Sequence, residues 1–353
     1  MRSSVGADSL RHGGHDPQSA DAAAAAAVAA DAAVTVRAVV VTWNGAALLP
    51  ACLDSLLGQT MPAAALEIVV VDNGSTDDTL ALLASHYPSV KVLALPENIG
   101  FAGGIAAGTA DLLEDAGVVD GRGAGGLGLT CDYVALLNND ARFEPDAIAQ
   151  LIKAITQAPN IGAATALVLL DSQAALAGDP IINSTGNILT ASGAATDRDY
   201  GLPLSKLDVS PAHRQVFGFN GGAALLNVKA LRQAGGFDPS LFLYYEDTDL
   251  SFRMRKAGWQ VVFTPDARAW HQHMASSGGE ASPIFRYYNT RNSLIIAARY
   301  LPFIALVKSV VRQTLGLIRH TLARDESLAV RSARRRGLSA GLRAIPRQYR
   351  MVI

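Results

Sequence analysis

Short apolar runs and segments with helical repeats alternate along the first 140 residues. The predicted strands are 36–41, 67–71, 90–95 and 133–137, and apolar residues recur at helical spacing over 48–57, 77–86 and 103–113. Each predicted strand ends in polar or turn-forming residues. This alternation predicts an α/β fold with a doubly wound, mostly parallel, Rossmann-like central sheet.

The second half of the chain gives a less regular pattern. Residues 171–214 are polar and rich in Gly, Ser and Thr, and they predict a loop-and-strand region near a binding cleft. A strand at 223–228 with a short helix behind it, and a strand at 260–263, follow. The glycine-rich segment 117–128 lacks the Gly-Lys-Ser/Thr ending of a phosphate-binding loop, so it predicts a flexible surface loop.

Candidate ligand-binding side chains follow the predicted strands, where parallel sheets bind their ligands. Asp72 suits a hydrogen-bond acceptor for the base or ribose of a nucleotide, or alternatively an Asx turn. Asp140 suits an oxygen ligand of Mg²⁺ or Mn²⁺ on a diphosphate, or alternatively the N-cap of a helix. His271, after the strand at 260–263, is either a nitrogen ligand, which Mn²⁺ tolerates better than Mg²⁺, or a structural histidine.

An acidic cluster lies within an aromatic and apolar segment, residues 242–253. Glu246, Asp247 and Asp249 are flanked by Phe and Tyr before them and by Leu250 behind them. Loss of hydration there raises the pKa of a carboxyl group toward the range of a general base. The alternative is structural: Asp247 caps a helix, and Asp249 pairs with the arginine four residues later.

Composition and charge favour a globular enzyme with an unusual C-terminal end. Half of the 353 residues are hydrophobic, and Cys52 and Cys131 cannot build a disulfide framework, which indicates a reducing, cytosolic setting. The net charge of −1 conceals an asymmetry, because residues 286–353 contain 14 lysines and arginines against two acids. Such a basic end favours a polyanionic or anionic membrane partner.

The two ends of the chain predict separate roles. Residues 1–34 are rich in alanine without the features of a signal peptide, and predict a disordered leader. No apolar run is long enough for a transmembrane helix. Residues 301–353 predict a basic amphipathic helical tail that lies on an anionic membrane, or alternatively packs on the catalytic domain. Sparse aromatic residues among its arginines argue against nucleic acid as a partner.

The amphipathic pattern of this tail is clearest over 303–323. Lys308, Arg312 and Arg319 share one stripe of the predicted helix. The apolar residues that we expect on the opposite arc are Val307, Val311, Ile318 and Leu322.

Eight short segments occur in an order typical of one enzyme family. They are Val39–Asn44, Ile68–Asp77, Pro96–Gly104, Leu136–Asp140, Asn220–Gly222, Gly235–Asp238, Tyr245–Leu250 and Trp270–His271. With them the chain resembles the family 2 glycosyltransferases, which have the GT-A fold, over about residues 36–300. It looks most similar to the bacterial branch that contains dTDP-rhamnosyl and galactofuranosyl transferases of cell-surface polysaccharide assembly.

The resemblance implies a role for each segment of a GT-A catalytic domain over 35–300. Asp247 is implied as the catalytic base and Glu246 as the residue that orients the acceptor or the base. Asp140 and His271 are implied as ligands of Mg²⁺ or Mn²⁺, although the metal motif reads Asn138-Asn139-Asp140, with one carboxylate instead of two. The implied nucleotide-sugar pocket consists of Thr42, Asn44, Asp72, Asn73, Asn98, Gly100, Gly103, Asn139, Gly221 and Gly222.

The resemblance implies an inverting glycosyltransferase. The expected donor is a dTDP- or UDP-sugar, with dTDP-rhamnose preferred, and the expected acceptor is a saccharide or polyprenyl-linked saccharide in O-antigen or related assembly. The expected location is cytoplasmic and peripheral, on the inner face of a bacterial cell membrane. A non-catalytic nucleotide-sugar or lipid-binding subunit is the alternative, which the intact Glu246-Asp247 pair argues against. A nucleotidyltransferase would need a glycine-rich N-terminal loop with a lysine or arginine to bind the triphosphate. Residues 42–60 contain neither Lys nor Arg, so this class is disfavoured.

Overall fold

The structure is a computed structural model, and it describes residues 34–113, 131–171, 178–190, 194–272 and 282–350. Nearly all of the predicted leader and the whole glycine-rich segment 117–128 lie outside the described residues. The described residues from Thr35 onward belong to one unit.

Strands and helices alternate as the hydrophobic pattern predicts. Within the described ranges the strands are β1 (Val36–Thr42), β2 (Leu66–Asp72), β3 (Lys91–Ala94), β4 (Tyr133–Leu137), β5 (Ala141–Phe143), β6 (Ile161–Leu170), β7 (Ile182–Ser184), β8 (Asn187–Leu189), β9 (Ala195–Asp197), β10 (Ala223–Asn227) and β11 (Gln260–His271). The helices are α1 (Leu49–Leu57), α2 (Thr79–His86), α3 (Gly100–Gly108), α4 (Ala110–Leu113), α5 (Ala147–Ile155), α6 (Val228–Ala234), α7 (Glu246–Lys256), α8 (Pro283–Tyr300), α9 (Phe303–Ala323) and α10 (Leu328–Arg350).

The large sheet has the strand order β3-β2-β1-β4-β10-β6-β11-β5, with β7 paired to β6. The strands β3, β2, β1 and β4 are parallel, as are β6 and β11, which confirms the predicted α/β class. In the middle of the sheet, β10 runs antiparallel to both β4 and β6. The strands β8 and β9 form a separate hairpin.

Both faces of the sheet are covered, because alternate residues of each strand point to opposite sides. Val36, Ala38 and Val40 of β1 pack in one core with α1 and α5. Val39 and Val41 pack in a second core with α3, α6 and α7. The sheet is therefore sandwiched between helices, and its strands are buried on both sides.

Several sequence-based assignments need correction. The apolar run that forms β6 and the helix α5 were not predicted, and Ala141–Phe143 forms β5, so Asp140 is not the N-cap of a helix. The strand predicted at 260–263 continues through an irregularity between Thr264 and Arg268 as far as His271. His271 is therefore the last residue of β11 instead of lying beyond the strand.

The C-terminal helices pack on one another, and α9 has three faces. Leu306, Ser309 and Gln313 are buried. Phe303, Val311, Leu315 and other apolar residues form a second, exposed face. The stripe formed by Lys308, Arg312 and Arg319 lies about a quarter turn around the helix from that apolar face. The prediction that the two are opposite is wrong, because the side opposite the apolar face packs on the protein body. No helix within the described ranges is both long enough and apolar enough to span a membrane.

Candidate active site

A cavity of about 500 Å³ lies at the carboxyl ends of β1 and β4 and brings most of the predicted site residues together. Its lining includes Thr42, Asn73, Asn98, Gly100, Asn139, Asp140, Gly221, Gly222, Glu246, Asp247 and His271. Three other predicted residues, Asn44, Asp72 and Gly103, are not part of this lining. Most of the residues predicted from the sequence therefore line one cavity, and Asn44, Asp72 and Gly103 lie outside its lining.

Asp72 is held at the end of β2 with half of its carboxylate unused. Oδ2 accepts a hydrogen bond from the Ser75 amide at 3.2 Å, as in an Asx turn. Oδ1 is buried and has no hydrogen-bond partner among the described residues. A buried acceptor without a donor is costly, so this oxygen suits a ligand N–H or O–H.

Two of the predicted pocket residues shape loops instead of presenting free side chains. The Asn73 side chain donates to the Gly100 carbonyl at 3.0 Å and accepts from the Ile99 amide at 3.0 Å. The Asn44 Oδ1 accepts from the Thr76 amide at 2.8 Å. Both side chains therefore fix the turns that follow β1 and β2.

Gly100 allows a close approach between α3 and the segment before the Glu-Asp pair. Its φ is +82°, and a Cβ there would lie 2.4 Å from the Phe242 carbonyl oxygen. No other residue type fits at this position without movement of the backbone.

Asp140 and His271 meet in the lining of the cavity. The His271 Nε2 lies 3.0 Å from the Asp140 Oδ1, and the His271 Nδ1 lies 2.7 Å from the Asn183 Oδ1. Because an amide oxygen only accepts, Nδ1 carries a proton, and Nε2 faces the carboxylate. An oxygen and a nitrogen donor aimed at one point fit a divalent cation, with the outer imidazole nitrogen held as in protein metal sites.

The protein supplies only part of a metal coordination shell. Across the ranges that the structure describes, no group of three His, Cys, Asp or Glu side chains is placed to hold an ion. Mg²⁺ and Mn²⁺ sites of nucleotide enzymes commonly combine one or two protein ligands with water and substrate phosphates. The pair Asp140 and His271 fits such a site.

Asp247 is fixed at the cavity wall by four donors. Its Oδ2 accepts from the Asn187 side chain at 2.9 Å and from the Gly221 amide at 3.1 Å. Its Oδ1 accepts from the Thr248 amide at 2.6 Å and from the Thr248 hydroxyl at 3.2 Å. Burial raises the pKa of this carboxyl group above its ordinary value, while these hydrogen bonds lower it. The N-cap of α7 is Tyr245, so Asp247 does not cap the helix.

The two acids on either side of Asp247, Glu246 and Asp249, differ in their hydrogen-bond and ion-pair partners. Burial, with the charge of Asp247, raises the pKa of Glu246 to about 8, and its Oε2 has no hydrogen-bond partner among the described residues. Asp249 is fully buried and pairs with Arg253 at 2.7 Å, as its spacing predicts, and with Arg299 at 2.8 Å. Asp249 thus ties α7 to α8, while Glu246 remains available to a ligand.

Sequence reasoning missed the polar residues of the segment 178–197. Asn183 orients His271, and Asn187 orients Asp247. Asp197 lines the cavity, accepts from the Asn220 side chain at 2.9 Å and has its pKa raised by burial. The sequence signal was the polar composition of 171–214, which predicted a loop-and-strand region near a binding cleft. It did not identify Asn183, Asn187 or Asp197 individually.

Comparisons with known proteins identify the family and the fold of the chain. The profile of the family "Glycosyltransferase like family 2" matches residues 33–290. The N-acetylglucosaminyl-diphospho-decaprenol L-rhamnosyltransferase of Mycobacterium tuberculosis (strain H37Rv) is 28% identical over 277 residues, which are 77% of this chain and 87% of that protein.

Two solved structures share the fold. GalNAc-T7 with UDP, GalNAc and Mn²⁺ matches at a TM-score of 0.57 and 14% identity, over 91% of this chain and 57% of that chain. The mannosyltransferase PcManGT from Pyrobaculum calidifontis, in complex with GDP-Man and Mn²⁺, matches at 0.51 and 17% identity, over 88% and 86%. These likenesses confirm the GT-A fold. With a family match over well over half of its length, the chain belongs to the glycosyltransferase like family 2.

Proposed function

We propose that this glycosyltransferase inverts the anomeric centre of its donor sugar in a single displacement, with Asp247 as the base. The observation that carries the proposal is the half-buried Asp247 carboxylate, which lines the cavity and is held by four hydrogen-bond donors. An acceptor hydroxyl oxygen attacks the anomeric carbon, its proton passes to Asp247, and the bond from that carbon to the diphosphate oxygen breaks with its electron pair. Glu246, beside Asp247, orients the acceptor hydroxyl.

Asp140 and His271 would hold a divalent cation, Mg²⁺ or Mn²⁺. When bound, the cation supplies positive charge that neutralises the diphosphate leaving group. The polar wall that includes Asn98 and Asn139 contacts the nucleotide, and the unused Asp72 Oδ1 accepts a hydrogen bond from its base or ribose. Titration with Mg²⁺ and Mn²⁺ tests this assignment, and full activity in excess chelator would contradict it.

We infer that the donor is dTDP-rhamnose and that the acceptor is a polyprenyl-linked saccharide of cell-surface polysaccharide assembly. The support is the mycobacterial relative, whose name gives a decaprenol-linked acceptor and L-rhamnose as the transferred sugar. A panel of dTDP-, UDP- and GDP-sugars, offered with a short-chain polyprenyl diphospho-N-acetylglucosamine, tests both choices. Consumption of another donor, with none of dTDP-rhamnose, would exclude rhamnose. Donor binding without turnover of any donor would indicate a non-catalytic subunit.

We further infer that the exposed apolar face of α9 rests on an anionic membrane surface, where such an acceptor resides. Seven large apolar side chains of this helix are exposed: Phe303, Ile304, Val307, Val311, Leu315, Ile318 and Leu322. Lys308, Arg312 and Arg319 are exposed along one edge of that face. Apolar area for insertion beside cations for anionic headgroups is the pattern of helices that lie in a bilayer interface.

Vesicle flotation tests the membrane contact. The full chain is expected to float with vesicles containing phosphatidylglycerol, and to float less with pure phosphatidylcholine or at high salt. A Leu315→Glu, Leu322→Glu double variant is expected to remain unbound. Leu80→Glu, which changes an exposed leucine of α2, is the matched control. Equal flotation of the double variant and the wild type would exclude α9 as the contact.

A further inference from the structure

The segment that leads into the Glu-Asp pair has a strained backbone. Phe242, Tyr244 and Tyr245 have φ values of 66°, 66° and 73°, in the left-handed region that side-chain-bearing residues avoid. Tyr245 is immediately followed by Glu246, the first residue of α7. Such strain persists only where the surrounding structure holds it, and it is concentrated at functional sites.

One buried side chain contacts this segment at three points. Asn292 of α8 is fully buried, and its Nδ2 donates to the carbonyl oxygens of Leu241 at 2.9 Å, Leu243 at 3.0 Å and Tyr244 at 2.8 Å. These carbonyls belong to the residues on either side of Phe242 and to the strained Tyr244 itself. Two amide hydrogens shared among three acceptors tie the whole turn to a single rigid helix.

The neighbouring arginine fixes the orientation of that amide. Arg291 donates from Nη1 to the Asn292 Oδ1 at 2.8 Å and from Nη2 to the Ser240 carbonyl at 2.9 Å. With Oδ1 occupied by the guanidinium, the Asn292 nitrogen faces the turn. Arg291 is only partly buried, so it can be changed with less effect on the core.

The catalytic geometry depends on where this turn ends. Asp247 is the second residue of α7, and its contacts with the Gly221 amide and the Asn187 side chain are single hydrogen bonds from other elements. If Phe242, Tyr244 and Tyr245 relaxed to negative φ, the start of α7 would rotate and those contacts would lengthen. A displacement of about 1 Å at a reacting group can reduce the rate by about 10²-fold.

We propose that Asn292 is a positioning residue, which holds the strained turn and thereby fixes Asp247 against the acceptor hydroxyl. The proposal rests on the proposed role of Asp247 as the base. Asn292 acts on the rate of transfer through the backbone of 241–244, and not through contact with the nucleotide.

The experiment compares Asn292→Ala and Asn292→Leu with Gln59→Ala in the full chain. Leucine keeps most of the volume of asparagine without a donor. Gln59 is a matched buried amide that donates to the carbonyls of Ser55 and Glu144 and accepts from the Ile148 amide, away from the turn. Readouts are kcat with the donor that the wild type consumes, the Kd of the nucleoside diphosphate of that donor, the thermal midpoint, and amide hydrogen exchange of 242–249.

Both Asn292 variants are expected to lose kcat by about 10- to 100-fold, with less than a threefold change in nucleotide Kd. Exchange of 242–249 should accelerate at least tenfold. Gln59→Ala should lower the thermal midpoint comparably, with kcat within twofold of wild type. Asn292 variants that follow Gln59→Ala in both kcat and exchange would overturn the proposal. If the wild type turned over no donor, the proposed function would fail, while unchanged exchange in the Asn292 variants would separately overturn this inference.

Arg291→Ala provides a milder form of the same test. Without its guanidinium the Asn292 amide can rotate away from the turn, so kcat should fall by about three- to tenfold, with the same rise in exchange. An Arg291→Ala protein with wild-type kcat and wild-type exchange would contradict the assigned role of the amide.

Discussion

Ionisable side chains lie in the protein interior at both ends of the parallel strands, but they are arranged in opposite ways. At the amino ends of β1 and β2, Arg37 is fully buried and pairs with Glu67 and Asp111, each at 2.6 Å, and Lys91 also pairs with Glu67. At the carboxyl ends, Glu246 is buried and Asp247 is half-buried, and neither forms an ion pair with a lysine or arginine in the described part of the chain.

The difference separates ionisable groups that stabilise the fold from ionisable groups that serve the reaction. Both members of a buried ion pair lose their hydration, and their mutual attraction offsets that free-energy cost. Removal of one partner is therefore strongly destabilising, because it leaves the other charge buried and uncompensated. Burial of a carboxylate without a cation lowers the stability of the fold. Such a group is retained where it binds a substrate or takes up a proton. The amino-end cluster should therefore govern stability, and the carboxyl-end cluster should govern the reaction.

The largest expected effect is at the carboxyl end. Asp247→Asn keeps an oxygen that can accept the bonds from Asn187 and Gly221 but cannot take the proton of the acceptor. We expect kcat to fall by about 10³-fold, with nucleotide binding within threefold of wild type by calorimetry. Asp266→Asn, at an exposed position of β11, is the control. A kcat reduced less than tenfold would remove Asp247 as the base.

The sequence made the carboxyl-end acids visible because they interrupt an aromatic run. The neighbours of Glu246 and Asp247 predicted either a general base or a structural role, and the positions of Asp72 and Asp140 after strands predicted either ligand binding or a turn or cap. The alternation of apolar runs likewise predicted the parallel half of the sheet. Those features depend on residues that are close together in the sequence.

The partners of these acids could not be predicted, because they come from distant segments. Asn187 lies 60 residues before Asp247, and Asn183 lies 88 residues before His271. Single asparagines in a polar stretch resemble turn residues. Asn292 reads as a polar position within a helix, and its role depends on a backbone strain that no sequence pattern reports.

The amino-end cluster should give the next largest effect. Arg37→Met leaves the buried Glu67 and the partly exposed Asp111 without their main cation, and should lower the free energy of unfolding by about 3–5 kcal/mol. Urea denaturation measures this loss, while kcat per folded molecule should stay within twofold of wild type. Lys91→Met is the matched control. Because the Lys91 side chain is 44% exposed, its substitution should lower the free energy of unfolding by under about 1 kcal/mol. Equal effects of the two changes would contradict the comparison.

A polar contact behind the predicted metal site should have an intermediate effect. Asn183→Leu removes the acceptor that holds the His271 Nδ1, so the ring is free to turn. We expect the concentration of Mn²⁺ for half-maximal activity, and for half-maximal thermal stabilisation, to rise about 10- to 100-fold. Asn160→Leu, on an exposed turn, should leave both unchanged. An unchanged Mn²⁺ requirement in Asn183→Leu would show that His271 needs no orientation.

The smallest expected effect is a pH dependence of stability at Glu246. Its pKa rises from 4.5 in the unfolded chain to about 8 in the folded protein, because of burial and the charge of Asp247. The folded state therefore keeps a proton that the unfolded state releases. This stabilising contribution is complete below about pH 4.5, declines above it, and is lost as the pH rises through about 8.

Glu246→Gln removes this dependence, because glutamine is neutral at every pH. The thermal midpoint of Glu246→Gln relative to the wild type should rise by a few degrees between pH 5 and pH 9, as measured by differential scanning calorimetry. The exposed Glu97→Gln should show a constant difference over the same interval. Parallel plots of the thermal midpoint against pH for Glu246→Gln and the wild type would mean that the protein stabilises the Glu246 carboxylate as fully as that of Glu67. The contrast between the two ends of the sheet would then depend on Asp247 alone.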